Sequence, residues 1–363
     1  MSIVALTMPK WGLTMTEGTV VKWLRAPGAS FAPGDEILEI ETSKIANVLE
    51  AETTGTLARI VAPEGAILPI GALLAVIAPA ATPDAAIDAF VTEYTAPEPS
   101  DRPEADAEPV APAYLEAGPG RLRYLDLGSG AGVPVLLLHG FGADLNSWMF
   151  TQPALAEGRR VIALDLPGHG GSVKDVGDGS PAAFVDAVGQ ALDALGLDRV
   201  HLVGHSMGGA IAALVAARWP DRVASLTLIA PAGFGPAINT AFIEGFIRAT
   251  RRRDAEAVLG LLVHDKSLIS KAMVEDVLRY KRLDGATDAL RTIARAWFAD
   301  GQQRVAVAAP RLPVQLIWGE NDQIIPVSDA AGTVTHRLEA AGHLPHMEKA
   351  SEVNRLIRRF IAG

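Results

Sequence analysis

The sequence contains no cysteine, and aromatic residues make up only 6% of its 363 residues. Without cysteine, disulfide bonds, thiolate metal sites and cysteine nucleophiles are all excluded. Hydrophobic residues nevertheless make up 49% of the chain, which is enough to bury sizeable cores. Because so few of them are aromatic, we expect these cores to consist mainly of small aliphatic side chains.

Positive charge is also scarce, since 32 Lys and Arg residues face 42 Asp and Glu residues and the formal net charge is −10. A nucleic-acid-binding protein needs a basic surface, so the composition argues against that class. The N-terminus has an early Pro9 and no basic stretch of the signal-peptide type. No uninterrupted apolar run reaches the roughly 18 residues of a membrane-spanning helix. We therefore expect a cytoplasmic protein without membrane partners.

Three segments of different composition divide the chain, which is long enough for more than one domain. Residues 1–79 combine short apolar runs with many glycines, and residues 114–363 have longer apolar runs. Residues 80–113 between them are rich in Ala, Pro and acidic residues. We predict a small β domain, an extended linker and a larger domain.

The first segment contains an internal repeat with one constant spacing. Between its glycines, apolar and polar residues alternate, which is typical of short strands separated by turns. Two such halves predict an all-β sandwich with approximate twofold symmetry. The matched pairs are Gly18 with Gly55, Gly28 with Gly65, Gly34 with Gly71, and Ile40 with Ile77.

Lys44 lies where the two repeats join, in a predicted strand–turn–strand. A lysine on an exposed hairpin is usually only a solubilising charge, but the repeat places Lys44 at the symmetry point. Residues 8–18, 34–38 and 41–44 resemble the lipoyl domains of 2-oxo acid and acetoin dehydrogenase complexes. The resemblance implies that Lys44 carries covalently bound lipoate in amide linkage.

A short amphipathic helix is predicted within the linker, at about residues 83–95. Thr82 is the expected N-cap and Pro83 the first helical residue. The apolar residues Ile87, Phe90 and Val91 recur at helical spacing, followed by Tyr94. Two interpretations remain open: the helix packs on a neighbouring domain of this chain, or it binds a partner enzyme.

The third segment alternates apolar runs with helical stretches. Continuous apolar runs are typical of strands buried on both faces of a parallel sheet, so we predict a doubly wound, mostly parallel α/β domain. The strand pattern stops at about residues 231–309, where we predict a helical cap over the site. The apolar runs are residues 134–138, 161–164, 200–203, 226–229 and 314–318.

The strongest chemical motif is the stretch from Gly204 to Gly209, which contains Ser206 between a predicted strand and a predicted helix. This is the context of a G-x-S-x-G nucleophile elbow, so Ser206 is the candidate nucleophile. Glycines also follow the first strong strand at residues 139–142. The backbone N–H groups of Phe141 and Met207 are therefore the predicted oxyanion hole.

The acid and the base are expected later in the chain, in that order. Asp322 follows the strand at residues 314–318 and is the candidate acid, with Glu320 as a competitor. His343 follows Gly342 and is the candidate base, with His346 as a competitor more suited to a structural role. We predict that His343 takes the Ser206 proton, that Asp322 orients His343, and that no metal takes part.

The third segment resembles the α/β-hydrolase superfamily through the Ser206 motif and the turn at residues 165–172, where His169 is expected to pack a loop. The cap contains the consecutive residues Arg251, Arg252 and Arg253. They form either a solvated helix face or a binding site for the phosphates of coenzyme A.

The order of the domains resembles the acyltransferase (dihydrolipoyllysine-residue acetyltransferase) component of acetoin dehydrogenase complexes. This resemblance implies acetyl transfer from S-acetyldihydrolipoyl-Lys44 to coenzyme A. It also implies two partners, a thiamine-diphosphate-dependent acetoin dehydrogenase component and a dihydrolipoyl dehydrogenase. A thioesterase or esterase carrying a lipoyl domain is the alternative, and a scaffold with a degenerate triad is disfavoured by the complete set of triad residues. Homo-oligomer formation stays open.

Overall fold

A computed structural model describes residues 3–9, 11, 15–42, 46–51, 53–94, 110–299, 301–308, 311–330 and 335–362. The chain divides into two compact units. The first consists mainly of Met1–Val110, and the second contains Ala111–Ile269 and Met273–Gly363. Each unit has its own cluster of buried apolar side chains.

Eight short strands in the first unit form two four-stranded sheets, in which every pair of neighbours is antiparallel. The strands are β1 (Val4–Thr7), β2 (Glu17–Trp23), β3 (Ser30–Phe31), β4 (Glu36–Glu41), β5 (Ala46–Glu50), β6 (Gly55–Ile60), β7 (Ile67–Pro69) and β8 (Leu73–Ile77). One sheet has the order β5-β4-β2-β7, and the other has the order β1-β8-β6-β3. The all-β prediction for this segment is confirmed.

The internal repeat is visible in the backbone geometry of the first unit. Gly28 and Gly65 both have φ of 87°, in the left-handed region that glycine adopts without steric cost. The Gly28 N–H donates to the Leu57 carbonyl at 2.7 Å, and the Gly65 N–H donates to the Val20 carbonyl at 2.7 Å. Each half thus closes its turn against the matching strand of the other half, which explains why the glycine spacing repeats.

The predicted lipoyl-bearing residue Lys44 lies outside the described residues. The strands on either side of it are described, and Glu41 pairs with Ala46 in the antiparallel ladder between β4 and β5. Strand β4 ends at Glu41, and β5 begins at Ala46.

Helix α1 (Asp84–Glu93) packs on the β sandwich of its own unit. Ile87 is only 4% exposed and forms a buried cluster with Val76 and Ala78, against which Phe90 and Val91 also pack. These are the apolar positions that the sequence pattern indicated. Of the two open interpretations, the contacts support packing within the same chain.

Polar contacts also attach α1 to the first unit. Arg59 pairs with Asp84 at 3.2 Å and also with Asp88. The prediction of Thr82 as the N-cap is wrong, because Pro83 occupies that position. The Pro83 backbone is extended, with ψ of 141°, and its carbonyl accepts from the Ile87 N–H at 3.3 Å, so the helix begins one residue later than expected.

The second unit is built on an eight-stranded sheet. Its strands are β9 (Ala113–Ala117), β10 (Gly120–Leu127), β11 (Val135–Leu138), β12 (Val161–Leu164), β13 (Val200–His205), β14 (Val223–Ile229), β17 (Val314–Gly319) and β18 (His336–Leu338). Their order in the sheet is β18-β17-β14-β13-β11-β12-β10-β9. In this order the strands from β18 to β12 are parallel to their neighbours, whereas β10 is antiparallel to both β12 and β9 at one edge.

An α-helix comes before the next strand after β11, β12, β13 and β14, which confirms the predicted doubly wound, mostly parallel α/β fold. Every residue of β11 and β12 is buried, as expected for strands covered on both faces. None of the described helices is long and apolar enough to cross a membrane. The helices outside the predicted cap are α2 (Gln152–Ala156), α3 (Pro181–Ala194), α4 (Met207–Arg218), α9 (Pro345–Glu348) and α10 (Ala350–Ile361).

An insert, residues 230–313, separates β14 from β17. It contains α5 (Thr240–Arg248), α6 (Arg252–Leu259), α7 (Lys271–Lys281) and α8 (Ala286–Trp297), followed by the short strands β15 (Phe298–Ala299) and β16 (Gln302–Gln303). The rings of Phe246 and Phe298 each pack 6.2 Å from that of Phe141, centroid to centroid. Because Phe141 follows the carboxyl end of β11, the insert lies over that edge of the sheet.

Candidate active site

Ser206 occupies the sharp turn between β13 and α4, with φ of 52° and ψ of −117°. A positive φ is uncommon for a residue with a side chain, so this turn is strained. The Ser206 N–H donates to the Ile229 carbonyl at 2.9 Å, and the Ser206 carbonyl accepts from Ala232 at 3.0 Å. These bonds to the end of β14 and beyond hold the serine at the carboxyl edge of the sheet.

Two glycines make this turn sterically feasible. A Cβ on Gly204 would lie 2.4 Å from the Gly208 carbonyl oxygen, and one on Gly208 would lie 2.2 Å from the Leu138 carbonyl oxygen. Both distances are shorter than van der Waals contact, and the atoms in the way are backbone atoms that cannot move aside. The small residues of the motif are therefore required by the close approach of β13, α4 and β11.

The Gly140–Phe141 peptide lies against Ser206, since a Cβ on Gly140 would be 3.1 Å from the Ser206 Cβ. His139 Nδ1 donates to the Gly140 carbonyl at 2.8 Å, and His139 Nε2 accepts from the Leu166 N–H at 3.0 Å. In a trans peptide the C=O and N–H groups point in opposite directions, so the Phe141 N–H points away from His139.

Met207 provides the second N–H group of the predicted oxyanion hole. It is the first residue of α4, so its N–H has no carbonyl one turn earlier in the helix to bond with. The aligned peptide dipoles also make this helix end favourable for negative charge. The predicted pair, Phe141 and Met207, thus flanks Ser206 on two different elements.

Asp322 and His343 meet above the end of β17. The Asp322 Oδ2 atom accepts from His343 Nδ1 at 2.7 Å and from Trp318 Nε1 at 3.1 Å. Its Oδ1 atom accepts from the N–H groups of Ile324 and Ile325 at 2.8 and 3.0 Å. Four donors therefore fix a carboxylate whose side chain is fully buried. In the neutral imidazole, donation from Nδ1 leaves Nε2 as the acceptor.

The competing residues are placed elsewhere. Glu320 is exposed, and its N–H donates to the Leu338 carbonyl. The ring of His346 is fully buried and packs 4.7 Å from Trp148 and 4.6 Å from His205, centroid to centroid. The structure therefore brings Asp322 together with His343, and it gives His346 a packing position.

The backbone of His343 is held from two further directions that the sequence did not reveal. Its carbonyl accepts from His205 Nε2 at 2.8 Å, and its N–H donates to the Leu262 carbonyl at 2.8 Å. His205 directly precedes Ser206, so the nucleophile elbow and the His343 loop are in direct contact. His205 lies within the motif from Gly204 to Gly209, so the sequence drew attention to this residue. The sequence did not reveal its hydrogen-bond partner, because His343 is distant along the chain.

Several histidines near the site are neutral because they are buried. Burial lowers the pKa of His139 to about 4 and that of His346 to about 3, and it lowers the pKa of His205 well below its usual value. Among the described residues, no group of three or more His, Asp or Glu side chains is placed to hold a metal ion.

Arg251, Arg252 and Arg253 are exposed at the start of α6. Arg251 Nε pairs with Asp254 at 3.2 Å, within the same turn. Within the described part of the chain, no hydrogen bond or ion pair joins these arginines to Ser206 or His343. Their accessibility suits a solvated surface as well as it suits a phosphate ligand.

Comparison with known proteins assigns both units to families. Residues 133–350 match the family model of the α/β hydrolase fold, and residues 4–77 match the biotin/lipoyl model of biotin-requiring enzymes. The meta-cleavage product hydrolase of Pseudomonas fluorescens IP01 superposes with a TM-score of 0.62 at 24% identity, covering 69% of this chain and 97% of that one. The second unit thus has the α/β-hydrolase fold.

Two relatives match both units together. The dihydrolipoyllysine-residue acetyltransferase component of the acetoin cleaving system of Cupriavidus necator is 43% identical, over 100% of this chain and 98% of the relative. The component of the same name from Pseudomonas putida is 43% identical over 98% of both chains. The chain therefore belongs to the family of dihydrolipoyllysine-residue acetyltransferase components of acetoin-cleaving systems, and it is an acyltransferase.

The buried histidines predict a pH dependence of stability. In the unfolded chain a histidine has a pKa of about 6.5. Below that pH, the unfolded state therefore binds protons that the folded state does not bind. The contribution of His346 is fully present above about pH 6.5 and is lost as the pH falls toward its folded pKa of about 3. Between pH 7 and pH 5.5 this loss amounts to about 1 kcal/mol.

Replacement of His346 by Phe removes this titration while keeping a ring in the stack. We expect the free energy of unfolding, measured with urea at pH 7 and pH 5.5, to fall by about 1 kcal/mol less in His346→Phe than in the wild type. Carboxyl groups titrate in the same range in both proteins, so the difference isolates the histidine. An equal fall in the two proteins contradicts the assignment of His346 as a neutral buried group.

Proposed function

We propose that the chain transfers an acetyl group from S-acetyldihydrolipoyl-Lys44 to coenzyme A. In this proposal Ser206 is the nucleophile, His343 is the general base and Asp322 orients the imidazole. The observation that supports it most strongly is the 2.7 Å hydrogen bond between Asp322 and His343, on a loop that is bonded to the residue before Ser206. Family membership supports the acyl-transfer class, and this geometry supports the choice of residues.

The first half-reaction moves the acetyl group onto the enzyme. The Ser206 oxygen attacks the thioester carbonyl while its proton passes to His343 Nε2. The N–H groups of Phe141 and Met207 bind the carbonyl oxygen as it becomes negative. As the carbon–sulfur bond breaks, His343 would give its proton to the departing sulfur of the dihydrolipoyl group. The product of this step is acetyl-Ser206.

The second half-reaction repeats these steps in the opposite direction. The thiol of coenzyme A gives its proton to His343, and its sulfur attacks the carbonyl of acetyl-Ser206. The ester bond breaks, and the Ser206 oxygen recovers the proton from His343. Asp322 keeps the imidazole in the correct tautomer and stabilises it while it is charged. Acetyl-coenzyme A leaves, and the enzyme returns to its starting state.

The acyl donor in this proposal is lipoate bound to Lys44. The match of residues 4–77 to the biotin/lipoyl family model and the paired strands on both sides of residues 42–45 support this role. Attachment in amide linkage would replace the lysine charge with a long arm that ends in a dithiolane. A thiamine-diphosphate-dependent acetoin dehydrogenase component would load this arm, and a dihydrolipoyl dehydrogenase would reoxidise it. The names of the full-length relatives, components of an acetoin cleaving system, support such partners.

Acetyl transfer is tested with acetyl-dihydrolipoamide, assayed with and without coenzyme A. We expect Ser206→Ala to lower kcat by at least about 10³-fold, because the acetyl-enzyme cannot form without the Ser206 oxygen. Ser129→Ala, at an exposed serine of the same unit, is the matched control and keeps wild-type activity. Release of acetate at the same rate without coenzyme A would show instead a thioesterase, the alternative activity of the same triad.

Arg251, Arg252 and Arg253 are our proposed contacts for the phosphates of coenzyme A, because guanidinium groups form paired bonds with phosphate oxygens. Their exposure leaves these groups open to a ligand. Conversion of all three to Glu is expected to raise the KM for coenzyme A by about tenfold at low salt and to leave the KM for acetyl-dihydrolipoamide unchanged. The matched control converts Arg279, Arg282 and Arg291, which are exposed on the same insert. Equal KM values for coenzyme A in the two variants would refute the assignment.

A further inference from the structure

Glu348 joins two segments of the second unit that are far apart in sequence. It is the last residue of α9 and is only 8% exposed. Its Oε1 atom accepts from the Gly342 N–H at 2.7 Å, and its Oε2 atom accepts from the His264 N–H at 2.7 Å. Gly342 directly precedes His343, whereas His264 belongs to the insert. One carboxylate therefore connects the insert to the loop of the proposed general base.

The insert is pressed against this loop at the same place. The His343 N–H donates to the Leu262 carbonyl at 2.8 Å. A Cβ on Gly342 would lie 2.8 Å from the Leu262 oxygen and 2.9 Å from the His264 nitrogen. The backbones are thus in direct contact, and no side chain separates them.

The opposite side of the loop is equally confined. A Cβ on Gly319, at the end of β17, would lie 2.1 Å from the Gly342 carbonyl oxygen. The loop therefore runs between the sheet and the insert with no space on either side. The approaches described so far are made by backbone atoms, which mutation does not remove. Glu348 contributes a side chain to this arrangement, so its contribution can be tested.

We propose that Glu348 is a positioning residue, which holds the main chain of Gly342 against residues 262–264 and so fixes the His343 imidazole relative to Asp322 and Ser206. This role rests on the proposed function, because it concerns the placement of the general base. The hydrogen bonds from Gly342 and His264 to Glu348 both come from main-chain N–H groups. Glu348 acts through the backbone on which the base is carried.

The physical reason is the strength and direction of the two hydrogen bonds. Bonds from N–H groups to a carboxylate are about twice as strong as those to a neutral acceptor. Burial raises the pKa of the Glu348 carboxyl, whereas the N–H groups of His264 and Gly342 favour its charged form. An amide in the same place can accept from only one of the two N–H groups. The NH₂ group of the amide would face the second N–H group. Because both are donors, that hydrogen bond would be lost.

The test compares Glu348→Gln with Glu339→Gln in the full-length lipoylated chain. Glu339 is an exposed carboxylate shortly before the same loop, so its replacement changes charge equally without touching the connection. The measurements are kcat and KM for acetyl-dihydrolipoamide and coenzyme A. A fluorophosphonate probe reports separately how fast Ser206 is labelled per folded molecule, a reaction that needs the general base but neither substrate.

We expect Glu348→Gln to lower kcat by about ten- to a hundredfold, since a misplacement of about 1 Å costs up to that much. Both KM values are expected to change less than about twofold, and the labelling of Ser206 is expected to slow as much as kcat. Glu339→Gln is expected to behave like the wild type. Glu348→Asp keeps the charge and one of the bonds, so it is expected to lose less activity than Glu348→Gln, and it replaces that variant if Glu348→Gln fails to fold.

Two results would overturn the positioning role. One is an unchanged kcat in Glu348→Gln, or in Glu348→Asp if only that variant folds. The other is a loss of activity that follows the folded fraction alone, with Ser206 labelled at the wild-type rate in every folded molecule. Failure of the wild-type protein to label at Ser206 would overturn the proposed function itself, and the role of Glu348 with it.

Discussion

The hydrogen bond between Asp322 and His343 is the interaction on which the account of this protein depends. It joins the loop after β17 to the loop after β18, and it sets the tautomer of the imidazole. The other donors to Asp322 come from Trp318 and from the backbone of residues 324 and 325, so the carboxylate cannot turn away. Because the acid is immobile and buried, the base has a single favourable orientation. In the proposed mechanism, Ser206 is activated by an imidazole that is held in this orientation.

The site is assembled by the fold from elements that meet at one edge of the sheet. The strained turn at Ser206, the Gly140–Phe141 peptide and the His343 loop each follow a different strand. Buried neutral histidines connect them: His139 fixes the Gly140 carbonyl, and His205 bonds to the His343 carbonyl. Such bonds cost little once the core has formed, yet they remove freedom from the groups that must act together.

Much of this arrangement could be predicted from the sequence, for physical reasons. Continuous apolar runs indicated the buried strands, and the glycines around Ser206 indicated a turn with no room for side chains. The position of Asp322 after an apolar run indicated the carboxyl edge of the sheet, and the chain order of acid and base indicated His343. In the first unit, the repeated glycines indicated the paired halves, and the apolar spacing in α1 indicated its buried side.

Other features could not be predicted, because they depend on contacts between distant segments. No local pattern links Glu348 to His264, or His205 to the His343 carbonyl. The apolar face of α1 was visible, but the surface it covers was not, since Val76 and Ala78 acquire their role only when the sandwich folds. The error at Thr82 is local instead: Pro83 has an extended backbone, with ψ of 141°, so it precedes the first turn of α1 and does not belong to it.

The central claim is that an acetyl group passes from the arm on Lys44 to Ser206. The most direct measurement is mass spectrometry of the lipoylated chain after reductive acetylation of its lipoyl group. One set of samples is quenched in acid before coenzyme A is added, and a second set is quenched after its addition. The account predicts acetyl on the peptide that contains Lys44, then on the peptide that contains Ser206, and its loss from both when coenzyme A is supplied. A bare Lys44, or acetyl that reaches coenzyme A without appearing on Ser206 at any time, would contradict it.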